Sequence, residues 1–137
     1  MSRKLSILLV EDDHIETMKF KKTVDKLDIQ CKVMVAKDGE EALDILVKKQ
    51  QIPDIILLDL NMPKMNGIEF LLILKKNDNL KHIPAIILTT SCNQKDLFEC
   101  YKIGIAGYML KPLKYSDYTL KISKTISYWS ESELVLV

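Results

Sequence analysis

Residues 5–13 run Leu5-Ser6-Ile7-Leu8-Leu9-Val10-Glu11-Asp12-Asp13, a short apolar stretch stopped by three carboxylates. A near-continuous apolar run of this length is what a strand covered on both faces of a parallel sheet requires. Ile55 to Leu58 and Ala85 to Leu88 repeat the pattern, so all three read as central strands. Cys31 to Ala36 differs, with Cys31, Val33 and Val35 on one face and Lys32 on the other, which suits an edge strand. Gly107 to Leu110 is a fifth, weaker run.

The stretches between these runs open on capping residues. An Asp or Asn side chain accepts from the orphan N–H groups of a first turn, and a Glu three residues on reaches back. Asp13/Glu16, Asp38/Glu41 and Asn66/Glu69 fit that pattern; Asn93 and Ser116 fit as caps without the reciprocal Glu. Phe20, Val24 and Leu27, then Ile68, Phe70, Leu71 and Leu72, supply apolar surface at helical spacing. Strict alternation of five strands with five helices predicts an α/β domain, a doubly wound parallel sheet with right-handed crossovers. A (β/α)8 barrel is excluded, since it needs about 250 residues and the chain has 137.

That length suits one domain able to bury roughly two-thirds of its unfolded surface. The 47% hydrophobic and 28% charged fractions are those of an ordinary globular chain. Twenty Lys+Arg against nineteen Asp+Glu leave +1, so charge draws the protein to neither nucleic acid nor an anionic membrane. Cys31, Cys92 and Cys100 form an odd set without metal-ligand spacing, which argues against a disulfide framework or a zinc site. The apolar run behind the basic N-terminus ends too soon, at Glu11, for a signal peptide. No window approaches the roughly twenty apolar residues of a membrane span. The expected compartment is the cytoplasm.

Ligands of such sheets bind at the carboxyl ends of the strands. There the first run ends in Glu11-Asp12, the third in Asp59, the fourth in Thr89-Thr90, and the fifth is followed by Lys111-Pro112. Three carboxylates brought together repel one another unless a proton or a cation joins them. Oxygen donors without His or Cys favour Mg²⁺, held by Glu11, Asp12 and Asp59 with the Asn61 backbone carbonyl. A hydroxyl at Thr89 and an ammonium at Lys111 complete a set suited to phosphoryl oxygens. Asp13, partnered by Glu16, reads as a helix cap and stays outside the site; Tyr108 reads first as part of the core.

Ile7-Leu8-Leu9-Val10-Glu11-Asp12-Asp13, Leu58-Asp59-Leu60-Asn61-Met62-Pro63 with Gly67, Leu88-Thr89-Thr90, and Tyr108-Met109-Leu110-Lys111-Pro112 together resemble the receiver domain of bacterial two-component response regulators. The blocks come in the right order over nearly the whole chain. The resemblance implies a flavodoxin-like (βα)5 fold of strand order 2-1-3-4-5 and no enzyme in the ordinary sense. Asp59 would be the phosphoacceptor for a sensor histidine kinase. Asp12 and the Asn61 carbonyl would bind Mg²⁺ beside Glu11, Thr89 and Lys111 would hold the phosphoryl group, and Thr89 with Tyr108 would form the switch. Glu11 stands where many members carry Asp, and its extra methylene sets whether it meets the metal directly or through water. Thr90 stands where small residues are common, which narrows access. The Thr-Ser segment after strand four and Tyr128-Trp129 are similar to single-domain regulators of bacteriophytochrome kinases, a phytochrome-type partner.

Other readings fit less well. A Mg²⁺-dependent phosphohydrolase lacks an acid–base partner at Asn61. A flavin carrier would have its phosphate repelled by Glu11-Asp12-Asp13, and a calcium loop from Asp59 has Lys64 and Phe70 where Gly and Glu belong. A receiver that only binds, without phosphorylation, is disfavoured by the full set of acceptor-site residues. Residues 1–127 read as the receiver domain and 128–137 as a C-terminal tail with no output domain. Tyr128, Trp129 and Leu134-Val135-Leu136-Val137 are expected either to fold onto their own domain or, with the fifth helix, to form a symmetric homodimer contact. The Lys111-Pro112 bond is expected to be cis, turning the ammonium back over the strand ends.

Overall fold

A computed structural model of the chain describes residues 4–135. The expected strands form where the apolar runs lie: β1 (Leu5–Val10), β2 (Cys31–Ala36), β3 (Ile55–Leu58), β4 (Ala85–Thr89) and β5 (Gly107–Leu110). Among the described residues they make one parallel sheet in the order β2-β1-β3-β4-β5. Between and after them come α1 (His14–Asp25), α2 (Gly39–Leu43), α3 (Gly67–Lys76), α4 (Gln94–Ile103) and α5 (Tyr115–Glu131). α2 runs on as a π-helical turn, Asp44–Lys48. This is the flavodoxin-like arrangement.

The continuous apolar runs are explained by two cores. Side chains alternate along a strand, so Leu8, Val10, Ile56 and Leu58 meet Phe70, Leu71 and Leu74 of α3 on one face. Ile7, Leu9, Ile55 and Leu57 meet Phe20 and Val24 of α1 and Tyr118, Ile122 and Ile126 of α5 on the other. β2 is half-buried, as an edge strand should be. At the opposite edge the Lys121 ammonium donates to the Leu110 carbonyl at 2.8 Å, occupying one acceptor of β5.

Four local expectations need correction. Glu41 reaches back to the Lys37 N–H rather than to that of the cap Asp38. Leu72 is 40% exposed, because α3 buries the stripe Gly67, Phe70, Leu71 and Leu74 and position 72 lies off it. Ser116 does not cap α5: Asp117 and Tyr118 donate their N–H groups to the Lys114 carbonyl, so the helix starts earlier and leaves Ser116 inside its first turn. Asp13 does cap α1, accepting from Ile15 and Glu16, but Glu16 does not reach back; its carboxylate is drawn to Lys19 and Lys111. The Asn66–Glu69 capping box closes as expected.

Tyr128 to Glu131 continue α5. Trp129 and Leu134 pack against the α1/α5 core, while Tyr128 and Val135 are exposed; Leu136 and Val137 lie outside the described residues. Among those residues no helix is long and apolar enough to cross a membrane.

Candidate functional site

Sheet hydrogen bonding continues one residue past the strands and fixes the backbone of the site. Glu11 N–H donates to the Ala36 carbonyl at 2.9 Å, Asp59 N–H to Val10 at 3.1 Å, and Lys111 N–H to Thr89 at 2.8 Å. Three residues from three strands are thus held in register at one end of the sheet. The loop after Asp59 is pinned by Gly67, whose N–H donates to the Leu60 carbonyl. A Cβ on Gly67 would stand 2.7 Å from the Asp59 carbonyl oxygen and 2.8 Å from Leu60 Cα, so only glycine lets α3 start this close. Lys64, in the same loop, takes a left-handed φ of 60°.

Carboxylate oxygens of Glu11, Asp12 and Asp59 lie within 4.8 Å of one another. Glu11 and Asp59 are buried, whereas Asp12 is exposed. The Lys111 ammonium faces them, 2.6 Å from Glu11 Oε1, 3.7 Å from Asp59 Oδ2 and 3.5 Å from Glu16 Oε1. Glu11 Oε2 accepts from the Asp13 N–H at 3.2 Å, and Asp59 Oδ1 from the Asn61 N–H at 3.4 Å. Burial pushes the Glu11 carboxyl up to about 7, with Lys111 pulling against that rise. Burial also opposes the charge on Lys111, but Glu11 and Asp59 outweigh it and hold the ammonium above its ordinary range. The donor set is oxygen alone and net acidic, which fits a hard divalent cation.

A cavity of about 390 Å³ opens over this cluster, with Asn61, Thr90 and Leu113 on its wall. Thr89 is not on that wall. It is fully buried, and its hydroxyl oxygen accepts from the Ser91 N–H at 3.2 Å. Ser91 also accepts from the Tyr108 hydroxyl at 2.8 Å through its carbonyl, and its own hydroxyl donates to Asp96 at 2.9 Å. Tyr108 is half-buried against the α3/α4 core. A larger cavity, about 660 Å³, is lined by Leu46, Ile52, Leu80 and their neighbours and has no titratable side chain on its wall.

Among the described residues there is no cis peptide bond, so Lys111-Pro112 is trans, contrary to expectation. Lys111 is still paired to β4 through its N–H, and from that strand-like position its side chain reaches Glu11 without a reversal of the chain. Sequence reading missed Glu16 and Lys19, both on the cavity wall. The available signal was their place one and two turns into a helix that starts beside the acidic pair.

Buried carboxylates and an ammonium at the switch end of a 2-1-3-4-5 sheet define a class of small α/β domains with an acidic pocket. The chain belongs to the response regulator receiver domain family, whose pattern matches residues 7–123. It is 33% identical over 127 residues to the probable methanogenesis regulatory protein FilR2 of Methanothrix harundinacea, covering 90% of this chain and 82% of that one. It is 32% identical to the response regulator Rcp1 of Synechocystis, covering 92% and 89%. The Mn²⁺-bound crystal structure of Rcp1 superposes with a TM-score of 0.89 at 30% identity, over 97% of this chain and 99% of Rcp1. The phosphorylated cyanobacterial phytochrome response regulator RcpA gives 0.92 at 29% identity, over 98% and 100%. Members of this family are phosphoacceptors that partner with histidine kinases, and they bind divalent metal at the acidic pocket.

Proposed function

We propose that the chain is a single-domain response regulator of a two-component phosphorelay, in which Asp59 takes a phosphoryl group from a kinase phosphohistidine in a Mg²⁺-dependent reaction. The observation that carries this is the Asp59 carboxylate itself: buried, within 4.8 Å of two further carboxylates and 3.7 Å from the Lys111 ammonium. In the transfer the N–P bond breaks as the Asp59 Oδ–P bond forms, and the imidazole leaves with the bonding pair. Asp12, Asp59 and the Asn61 carbonyl would hold Mg²⁺, which when bound neutralises the carboxylates facing the incoming phosphoryl group. Both Glu11 oxygens are already engaged, which favours a water between Glu11 and the metal. Lys111 offers its ammonium to the transferred group.

Thr89 lies buried off the cavity wall, so its side chain has to turn to offer its hydroxyl proton to a phosphoryl oxygen. That turn pulls on the Ser91 N–H from which it accepts, and Ser91 carries the Tyr108 hydroxyl on its carbonyl. Phosphorylation therefore reaches the β5 face through Ser91, as a change of binding surface rather than a reaction. The receiver unit, read from the sequence as residues 1–127, extends through the end of α5 at Glu131 and takes in Trp129 and Leu134 of the segment read as a tail. It acts in the cytoplasm, without nucleic-acid or membrane partners. The kinase is of the phytochrome type, a reading supported by the likeness to RcpA. The cavity mouth carries Leu113 fully exposed, and α1 presents Ile15 at 71% exposure; both suit a protein donor.

Incubation with acetyl phosphate and Mg²⁺ should give one phosphoryl adduct by intact mass, absent in Asp59→Ala and in excess chelator. An adduct undiminished in Asp59→Ala would sink the assignment. A homodimer contact through α5 and the tail would use the exposed Tyr128 and Val135, and should appear in sedimentation as mass rising with concentration and falling on deletion of residues 130–137. A monomer throughout would assign that surface to a different partner.

A further inference from the structure

A phosphoryl dianion entering the Asp59 cavity meets the carboxylates of Glu11, Asp12, Asp13, Glu16 and Asp59. Among the described residues on its wall, the two lysines are Lys111 and Lys19. Lys111 lies at the floor, its side chain 9% exposed and committed to Glu11. Lys19 is nearer solvent, with a side chain 26% exposed, yet it is held from two elements. Its ammonium is 3.1 Å from Glu16 Oε2 on α1 and 4.4 Å from the ring centroid of Tyr118, a buried residue of α5. Glu16 spans the two cations, with Oε1 toward Lys111 at 3.5 Å and Oε2 toward Lys19. Charge therefore alternates along the line Lys111–Glu16–Lys19, and Lys19 is the more exposed of the two cations, beside the exposed carboxylates of Asp12 and Asp13. A lysine fixed by an ion pair and an aromatic face has less orientational freedom to lose than a solvated one.

We propose that Lys19 is the entrance residue of the cavity, binding the phosphoryl dianion of the donor before Lys111 receives it, and that Glu16 is a positioning residue that keeps the two ammonium groups apart. This rests on the phosphoacceptor reading of Asp59. A contact made on entry acts on donor binding, so it moves the half-saturating donor concentration and leaves the limiting rate in place.

The test measures phosphorylation rate against acetyl phosphate concentration in excess Mg²⁺ for the full chain, Lys19→Gln and Lys19→Arg. In parallel, inorganic phosphate affinity is read by phosphorus NMR in the same buffer. Loss of one partly screened charge contact should raise the half-saturating acetyl phosphate concentration about fivefold in Lys19→Gln. The limiting rate should hold, phosphate affinity should weaken by a similar factor, and Lys19→Arg should restore both. If Lys19→Gln matches the wild type in both half-saturation and phosphate affinity, the proposal is overturned; a fall in limiting rate alone overturns it too, by making Lys19 structural. Should the wild type take no phosphoryl group at all, the phosphoacceptor reading fails by itself, and the phosphate affinities still decide Lys19.

Discussion

Lys111→Ala should destabilise the metal-free protein by about 3 kcal/mol at about pH 8, and by much less at about pH 5. The Lys111 ammonium is 2.6 Å from Glu11 with both side chains nearly out of solvent, and it is also the cation nearest Asp59. Removing one member of a buried pair leaves the other charge without compensation, which costs more than the pair was worth. The value of about 7 for the Glu11 carboxyl already includes the pull of Lys111 against burial. Without the lysine the carboxyl therefore holds its proton further up the scale, and the loss grows as pH rises beyond about 7 toward that higher value. Below it Glu11 takes up a proton and the loss shrinks. Urea unfolding of wild type and Lys111→Ala in chelator at both pH values reads the effect. An equal loss at the two values would mean that packing of the lysine stem, not charge, is what the substitution removes. Addition of Mg²⁺ should return part of the lost stability, since a divalent cation can stand in for the missing ammonium.

The strands were legible because a parallel sheet covered on both faces leaves few positions for a polar residue, Ser6 and Thr89 standing near strand ends, and Ile55 to Leu58 is fully buried as its composition demands. Their order came only from the likeness to a family, since apolar runs carry no information about which neighbours pair. Glu11, Asp12, Asp59 and Lys111 were legible as a site because strand ends in such a sheet share one edge, and the structure brings all four together. What sequence could not give was the direction of individual side chains. Thr89 lies buried off the cavity wall with its hydroxyl oxygen accepting from the Ser91 N–H, an orientation that its place at the end of β4 did not disclose. Glu16 was assigned to a local cap, but the ammonium groups of Lys19, one turn on, and of the distant Lys111 compete for its carboxylate better than a backbone N–H does. Leu72 and Ser116 show the same limit: apolar character and capping capacity are permissions, and the packed stripe and the preceding carbonyl decide which are used. The π-helical turn at Asp44–Lys48 had no signal in spacing or composition.

The stability of the metal-free wild type should fall relative to that of Glu11→Gln as pH rises from about 4.5 through about 7, the ordinary and the buried values of the Glu11 carboxyl. The sign follows from proton binding. In that window the unfolded chain carries Glu11 ionised, whereas the folded state still holds its proton, so folding takes up a proton and raising the pH works against it. This is the reverse of a carboxylate whose folded value is depressed by an ion pair, which would gain stability over the same range. Lys111 at 2.6 Å reduces the effect but does not invert it, because desolvation is the largest influence on Glu11 and the Asp59 charge adds to it. Glu11→Gln keeps the shape and removes the titration, so the difference between the two proteins isolates this group from every other carboxylate. With saturating Mg²⁺ the slope should turn over, since the cation binds the ionised cluster of the folded state and is favoured by loss of the proton. Unfolding midpoints in urea across the window, in chelator and in Mg²⁺, give both slopes. A wild type that gains stability over Glu11→Gln as pH rises in chelator would mean that Lys111 has fully offset burial, and the metal would then have to displace a satisfied ion pair rather than relieve a strained cluster.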